Sequence, residues 1–83
     1  MNDKTSNDLL LNIHSLHTTQ LGVDRIRKNL LLETADVIGW CKDLIENPGT
    51  VITRKGKNWY AAKDGCIITV NAHSYTIITA HKS

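Results

Sequence analysis

The dipeptide Asp64-Gly65 places the strongest constraint on what this chain can fold into. Two runs rich in β-branched and aromatic residues flank it, NWYAA before and CIITVN after. Asp-Gly between two such runs is typical of a two-residue type I′ hairpin, because both turn positions require positive φ. Pairing outward from this turn predicts the register Lys63 with Cys66, Ala61 with Ile68, and Trp59 with Val70.

This register distributes the two strands between an apolar and a more polar face. The apolar face receives Trp59, Ala61, Cys66, Ile68 and Val70. The other face receives Tyr60, Ala62, Ile67, Thr69 and Asn71. A small sheet must bury one face, so we expect the face of Trp59 to be the inner one.

Two further β-rich runs complete an antiparallel sheet over residues 50–82. VITR precedes a turn at KGK, and YTIITAH follows a turn at AHS. The last strand carries isoleucine on both faces, so two orientations stay open. If Ile78 and Ala80 point inward, the outer face gains Tyr75, Thr79 and His81.

Residues 8–47 are predicted to be helical. A first helix starts at Asn7 or Asp8, and its apolar side carries Leu9, Leu10, Ile13 and Leu16, with His17 beside them. A second helix is capped by Thr18 or Thr19. Gly22 lies near its start and lowers the helix propensity there, so the first and second helices could be separate or could form one bent helix. A third helix has Thr34 as its N-cap and ends at Pro48 and Gly49. Its apolar face is formed by Val37, Cys41, Leu44 and Ile45.

The predicted fold class is therefore α+β, with two or three N-terminal helices packed on one face of a four-stranded antiparallel meander. At 83 residues we expect a single domain over 1–83, in which the polar residues 1–6 are frayed.

The apolar segments and the cysteines of the sequence indicate the cellular compartment. The sequence has neither an apolar signal region nor an apolar run long enough for a membrane span. Cys41 and Cys66 lack C-x-x-C spacing, which predicts two free, buried thiols in a reducing cytoplasm. We expect a cytoplasmic protein without a cofactor and without membrane contact.

Two basic clusters are candidates for binding phosphate. Arg54, Lys55 and Lys57 crowd one turn beside Trp59 and Tyr60, a mixture that suits RNA. Arg25, Arg27 and Lys28 crowd one helical segment. The alternative is that both clusters are solvated surface and that Trp59 fills the core. Clusters that met in space would favour an anionic partner.

The candidate catalytic residues suit metal-independent phosphodiester chemistry. His14 and His17 have a spacing that could hold a metal ion, but no further ligand is suitably spaced, so no metal site is predicted. His81 and His17 could instead transfer protons, helped by Thr79, while the basic residues hold phosphate. No other catalytic motif fits the sequence.

The segments LHTTQLGVDRIRKNL, DVIGWCKD, ITRKGKNWY and ITVNAHSYTIITAHK carry a resemblance to a family of short bacterial and phage-associated domains of unknown function. The ending ITAHK and the order of elements are also similar to the fold group of RelE-like toxins, barnase-like nucleases and colicin-type tRNA nucleases. That second resemblance implies an active site on the exposed sheet face. It points to His17, Arg25 or Arg27, Lys55, Thr79 and His81.

Two functional hypotheses from different classes follow. The first is a small ribonuclease-like toxin or RNA-binding domain, whose partners are RNA or the ribosome and an antitoxin protein. The alternative is a non-enzymatic protein-binding module, such as a phage or mobile-element inhibitor of a host defence system. In either case the free edges of a small sheet also favour a homodimer.

Overall fold

The computed structural model describes residues 8–82, which form three helices followed by a four-stranded antiparallel sheet. The strand order is β1-β2-β3-β4. This confirms the predicted α+β meander, while the expected fraying of residues 1–6 and a helix start at Asn7 lie outside the described residues. The elements are α1 (residues 8–11), a 3-10 turn (Ile13–Ser15), α2 (Gln20–Leu30), α3 (Val37–Glu46), β1 (Val51–Lys55), β2 (Asn58–Lys63), β3 (Cys66–Asn71) and β4 (Ile77–Lys82).

The hairpin between β2 and β3 has the predicted geometry. Asp64 and Gly65 both have positive φ, at 51° and 79°, as a type I′ turn requires. The strand register is also the predicted one, with Lys63 opposite Cys66, Ala61 opposite Ile68, and Trp59 opposite Val70. The turn residues therefore determine which side chains face the core.

The core lies between the inner face of the sheet and the helices. α2 packs mainly against β4, and α3 packs against β2. The buried apolar side chains of the sheet are those of Trp59, Ala61, Ile68, Val70, Ile77 and Ala80; the helical part contributes Leu9, Leu16, Ile26, Leu30, Val37, Cys41 and Ile45. This confirms the face of Trp59 as the inner one.

Two stretches do not belong to a helix, contrary to the prediction of helix throughout 8–47: residues 16–19, and residues 31–36 between α2 and α3. His17 forms an isolated parallel bridge with Thr76 at the edge of β4. Its N–H donates to the Tyr75 carbonyl at 3.2 Å, and its carbonyl accepts from the Ile77 N–H at 2.8 Å. The first two helices are therefore separate, because the backbone of His17 pairs with the edge of β4 instead of continuing a helix.

Close packing brings the start of α2 against β4. The Thr19 hydroxyl caps α2 by accepting from the Gly22 N–H at 3.1 Å. The neighbouring Thr18 hydroxyl donates to the Ile77 carbonyl of β4 at 2.9 Å. A Cβ atom at residue 22 would lie only 2.1 Å from Thr18 Oγ1, so glycine allows both contacts at once.

The N-cap of α3 is Asp36 rather than the predicted Thr34. An Asp36 carboxylate oxygen accepts from the Gly39 N–H at 2.9 Å. The Thr34 hydroxyl accepts from the Asp36 N–H at 3.1 Å and so stabilises the turn that precedes the cap. Both residue types cap helices well, and the position of Asp36 directly before the first buried residue, Val37, decides between them.

A β-bulge settles the orientation of β4. Val70 pairs with Ile77 whereas Thr69 pairs with Thr79, so Ile78 is an extra residue between the two pairs. Ile77 and Ala80 are consequently both buried, although strict alternation would place them on opposite faces.

The bulge changes the expectation for the last strand in two respects. Ile78 does not point inward, because Ile77 takes the buried position and Ile78 is 40% exposed. Thr79 and His81 lie on the outer face, opposite Thr69 and Ile67. Tyr75 does not join them, because its backbone has a φ of 59° and its ring lies 5.4 Å from the Trp59 ring in the core.

Among the described helices, none has the length and apolar character needed to cross a membrane.

Candidate functional site

The outer face of the sheet, opposite to the helices, is a surface on which several predicted site residues lie. The strand registers arrange its side chains in three rows across the sheet. The rows are Val51, Ala62, Ile67 and His81; Thr53, Tyr60, Thr69 and Thr79; and Lys55, Asn58 and Asn71. The described helices pack on the other side of the sheet, so they do not cover this face.

A groove of about 550 Å³ runs along the β1 side of the outer face. Its lining is predominantly apolar and comprises Val51, Thr53, Tyr60, Ala62 and Ile67, with Lys55 and Gly56 at the end near the β1–β2 turn. Val51 is 65% exposed, unusually high for a strand valine. We refer to this surface as the outer groove.

Sequence reasoning placed Tyr60, Ala62 and Ile67 on this face but missed Val51 and Thr53. Pairing outward from the KGK turn would have found them. β1 and β2 are joined by the two residues Gly56 and Lys57, which set Thr53 opposite Tyr60 and Val51 opposite Ala62.

The three basic residues of the β1–β2 hairpin are divided between the two faces. Lys55 lies on the outer face and lines the outer groove. Arg54 lies on the inner side, where its guanidinium carbon is 5.6 Å from the centre of the Trp59 ring and its Nε donates to the Gly56 carbonyl at 3.0 Å. Successive strand residues point to opposite faces, so Arg54 and Lys55 do not act as one phosphate clamp.

Lys55 and Lys57 are exposed and carry no ion pair within residues 8–82. The ion pair found in this part of the chain joins Lys63 and Asp64, whose Nζ and Oδ2 atoms are 2.6 Å apart. The β1–β2 end of the outer groove is therefore a site of uncompensated positive charge.

The predicted catalytic histidines lie far apart. His17 is level with Thr76, whereas His81 lies five residues further along β4, a separation of about 15 Å at the usual rise per residue. His81 is also roughly 20 Å from Lys55, by four residues along the strands and three strands across. Thr79 is two residues before His81 and lies one row further from the end of the sheet.

His17 takes part in a chain of hydrogen bonds at the opposite end of β4 from His81. Its Nδ1 is 2.9 Å from the Ser15 carbonyl, and its Nε2 is 3.1 Å from the Thr76 hydroxyl. The Thr76 hydroxyl is in turn 2.7 Å from the Ser74 hydroxyl. These contacts attach the segment before α2 to β4, which gives His17 a structural role.

The second basic cluster does not meet the first. Arg25 and Arg27 belong to α2, which packs on β4 at one edge of the sheet, whereas the basic hairpin includes β1 at the other edge. Arg25 is exposed and Arg27 is half-buried. The two clusters therefore do not form one joint binding site for an anionic partner.

The two cysteines are free thiols in different environments. Burial raises the pKa of the Cys41 thiol to about 12, so it stays protonated at neutral pH. Cys66 is half-buried, contrary to the expectation that both thiols are buried. Across residues 8–82, no three His, Cys, Asp or Glu side chains are grouped closely enough to hold a metal ion.

Comparisons with known proteins identify the family. No curated protein and no solved structure matches the chain, so the resemblance to ribonuclease folds gains no support from them. One family model, described as "Protein of unknown function (DUF3781)", matches residues 10–81. That match spans every helix and strand described above except the first two residues of α1 and the final residue of β4. The chain therefore belongs to this uncharacterised family, DUF3781.

Proposed function

We propose that this chain is a non-enzymatic protein-binding module and that it binds through the outer groove. The observation that supports this proposal is the apolar lining of a groove on a sheet face that no described helix covers. Contiguous exposed apolar surface is one of the features of protein interaction sites. An inhibitor of a host defence system would be one instance of such a module.

The distribution of titratable groups also favours binding over catalysis. A general acid and a general base must both reach the same reacting phosphodiester. His17 and His81 are about 15 Å apart along β4, given the usual rise per residue. Among residues 8–82, the three outer-face rows contain no histidine besides His81. A binding surface requires no such convergence.

Substituting Val51 tests the proposal, because this side chain is 65% exposed and lines the groove. We expect the wild-type protein to recover a protein partner from host lysate at 1:1 stoichiometry and Val51→Asp to recover it at least about tenfold less well, since a carboxylate desolvated in an apolar contact is costly. The measurement is quantitative mass spectrometry of the eluted proteins.

The matched control is Leu21→Asp, which places the same charge on α2 at a leucine that is 74% exposed. It should retain the partner fully, and urea unfolding should show that both variants are folded. Equal recovery by Val51→Asp and wild type would refute binding through the outer groove. Repeated absence of any stoichiometric partner would refute the binding function.

The ribonuclease hypothesis stays a second proposal, favoured by one observation. Lys55 and Tyr60 line the same groove, so a cation and an aromatic ring are available to one nucleotide. If the chain is a nuclease, purified protein incubated with total RNA should cleave it, and His81→Ala should reduce the rate by about 10²- to 10⁴-fold.

The control for this experiment is His73→Ala, which removes another exposed imidazole from the loop before β4. Circular dichroism should show that both variants retain the fold. Intact RNA, or cleavage at an unchanged rate in His81→Ala, would eliminate the hypothesis in this form.

A further inference from the structure

We infer that the partner of the outer groove is an acidic protein segment that places an aliphatic side chain at one end of the groove and a carboxylate at the other; this inference rests on the proposed function. The groove has two chemically different ends. Val51, Ala62 and Ile67 form the apolar end, and Lys55 lies at the end nearest the β1–β2 turn.

The distance between the two ends restricts the spacing of the matching groups. Val51 and Lys55 are four residues apart on β1, which corresponds to about 13 Å. An extended partner segment would cover this distance with an aliphatic residue and an acidic residue four positions apart. Thr53 and Tyr60 are paired in the strand register and line the middle of the groove, so they would face the partner residues between these two positions.

The charge of the partner follows from the positive end of the groove. Lys55 and Lys57 are exposed and form no ion pair with any residue of the described chain. An acidic group bound at this end would therefore be attracted to these lysines. The same positive charge would repel basic partners and so disfavour their binding.

A second copy of this chain does not supply the required charge. The residues of the three outer-face rows include no Asp or Glu, while they include Lys55 and His81. Two outer faces packed together would leave Lys55 without a carboxylate from the other copy. A different, acidic chain fits this face better than a homodimer does.

Single-stranded RNA also carries negative charge, but it fits the groove less well. Recognition of single strands relies on aromatic side chains that stack on successive bases. The groove offers one aromatic ring, that of Tyr60, and its remaining floor is aliphatic, at Ala62, Ile67 and Val51. Such a floor is suited to the aliphatic side chains of a protein.

Selection from a library of random 12-residue peptides tests the inference. The wild-type protein should enrich peptides with Asp or Glu at a constant spacing of four from Leu, Ile or Val. Lys55→Glu, used as bait, should enrich Lys or Arg at the acidic position instead. It should also bind the best wild-type peptide at least about tenfold more weakly by fluorescence anisotropy.

Lys28→Glu is the matched control, since it reverses an exposed charge on α2, away from the groove. It should select the same peptides as wild type. Selection of peptides without acidic residues, selection unchanged by Lys55→Glu, or no enrichment would each overturn the inference. So would tighter binding of a 12-nucleotide poly(U) strand than of any selected peptide.

The peptide selection and the lysate experiment distinguish failure of this inference from failure of the proposed function. If Val51→Asp loses a lysate partner while the selected peptides show no preference for acidic residues, binding through the groove is supported. Only the inference that the partner is acidic is then wrong. If Val51→Asp retains the partner and no peptide is selected, the proposed function fails as well.

Discussion

Replacing Trp59 with alanine is expected to lower the free energy of unfolding by about 3–5 kcal/mol, the usual cost of truncating a buried aromatic side chain. Trp59 is 2% exposed and is among the fully buried side chains of the core. Its ring contacts the Tyr75 ring and lies under the Arg54 guanidinium. A domain of this length has a total stability of about 4–12 kcal/mol, so this loss would be a large fraction of the total.

Urea unfolding followed by circular dichroism measures this loss, because fluorescence would also change through removal of the indole itself. Val51→Ala is the control: its side chain is 65% exposed, and its loss should change stability by less than about 0.5 kcal/mol. A loss below about 1 kcal/mol for Trp59→Ala would contradict the central position of this side chain in the core.

Gly22→Ala should destabilise the protein by about 1–3 kcal/mol, the cost of leaving a buried polar group without its partner. The same substitution in an ordinary helix stabilises by up to about 1 kcal/mol, so the sign itself is diagnostic. The new methyl group would lie 2.1 Å from Thr18 Oγ1. The Thr18 hydroxyl would have to move, and its hydrogen bond to the Ile77 carbonyl would be lost.

A double-mutant cycle with Thr18→Ala isolates this mechanism. Thr18→Ala should be destabilising alone, because it removes the same hydrogen bond. In that background Gly22→Ala should cost much less, since the hydroxyl that obstructs the methyl group is already absent. Additive losses in the double variant would show that the clash with Thr18 is not the cause.

Local chemistry was enough to predict the centre of the sheet. Asp64 and Gly65 both have positive φ and fix the register of β2 and β3. The alternation of side chains along each strand then determines which of them are buried. The ends of helices were less predictable. Thr34 and Asp36 are both good N-cap residues for α3, and Asp36 is the cap because Val37, directly after it, is the first residue of the helix and is buried in the core.

Features that depend on distant parts of the chain could not be predicted from local patterns. The bridge between His17 and Thr76 joins residues 59 positions apart, and no periodicity in the segment around His17 indicates it. The bulge at Ile78 likewise breaks the period of two without a glycine or proline to mark it. Both features involve β4, the strand against which α2 packs.

The candidate site was predicted in part. The sequence assigned Tyr60 and Ile67 to the outer face, and Lys55 to a basic turn, but it could not show how far apart the charged groups would lie. Spacing along a chain gives no distance between His17 and His81, or between Arg25 and Arg54. Only the order of strands and the position of α2 reveal that these groups occupy separate regions.

The contact of α2 with β4 bears on the order of events as the chain is synthesised. The β2–β3 hairpin can form as soon as residues 58–71 have been made, because all of its pairs are local. By contrast, α2 is complete by Leu30, yet its main packing partner is residues 77–82. Until β4 has been made, α2 lacks its main packing partner, so Ile26 and Leu30 are more exposed to water than in the folded protein. Exposed apolar surface of this kind favours aggregation or capture by chaperones.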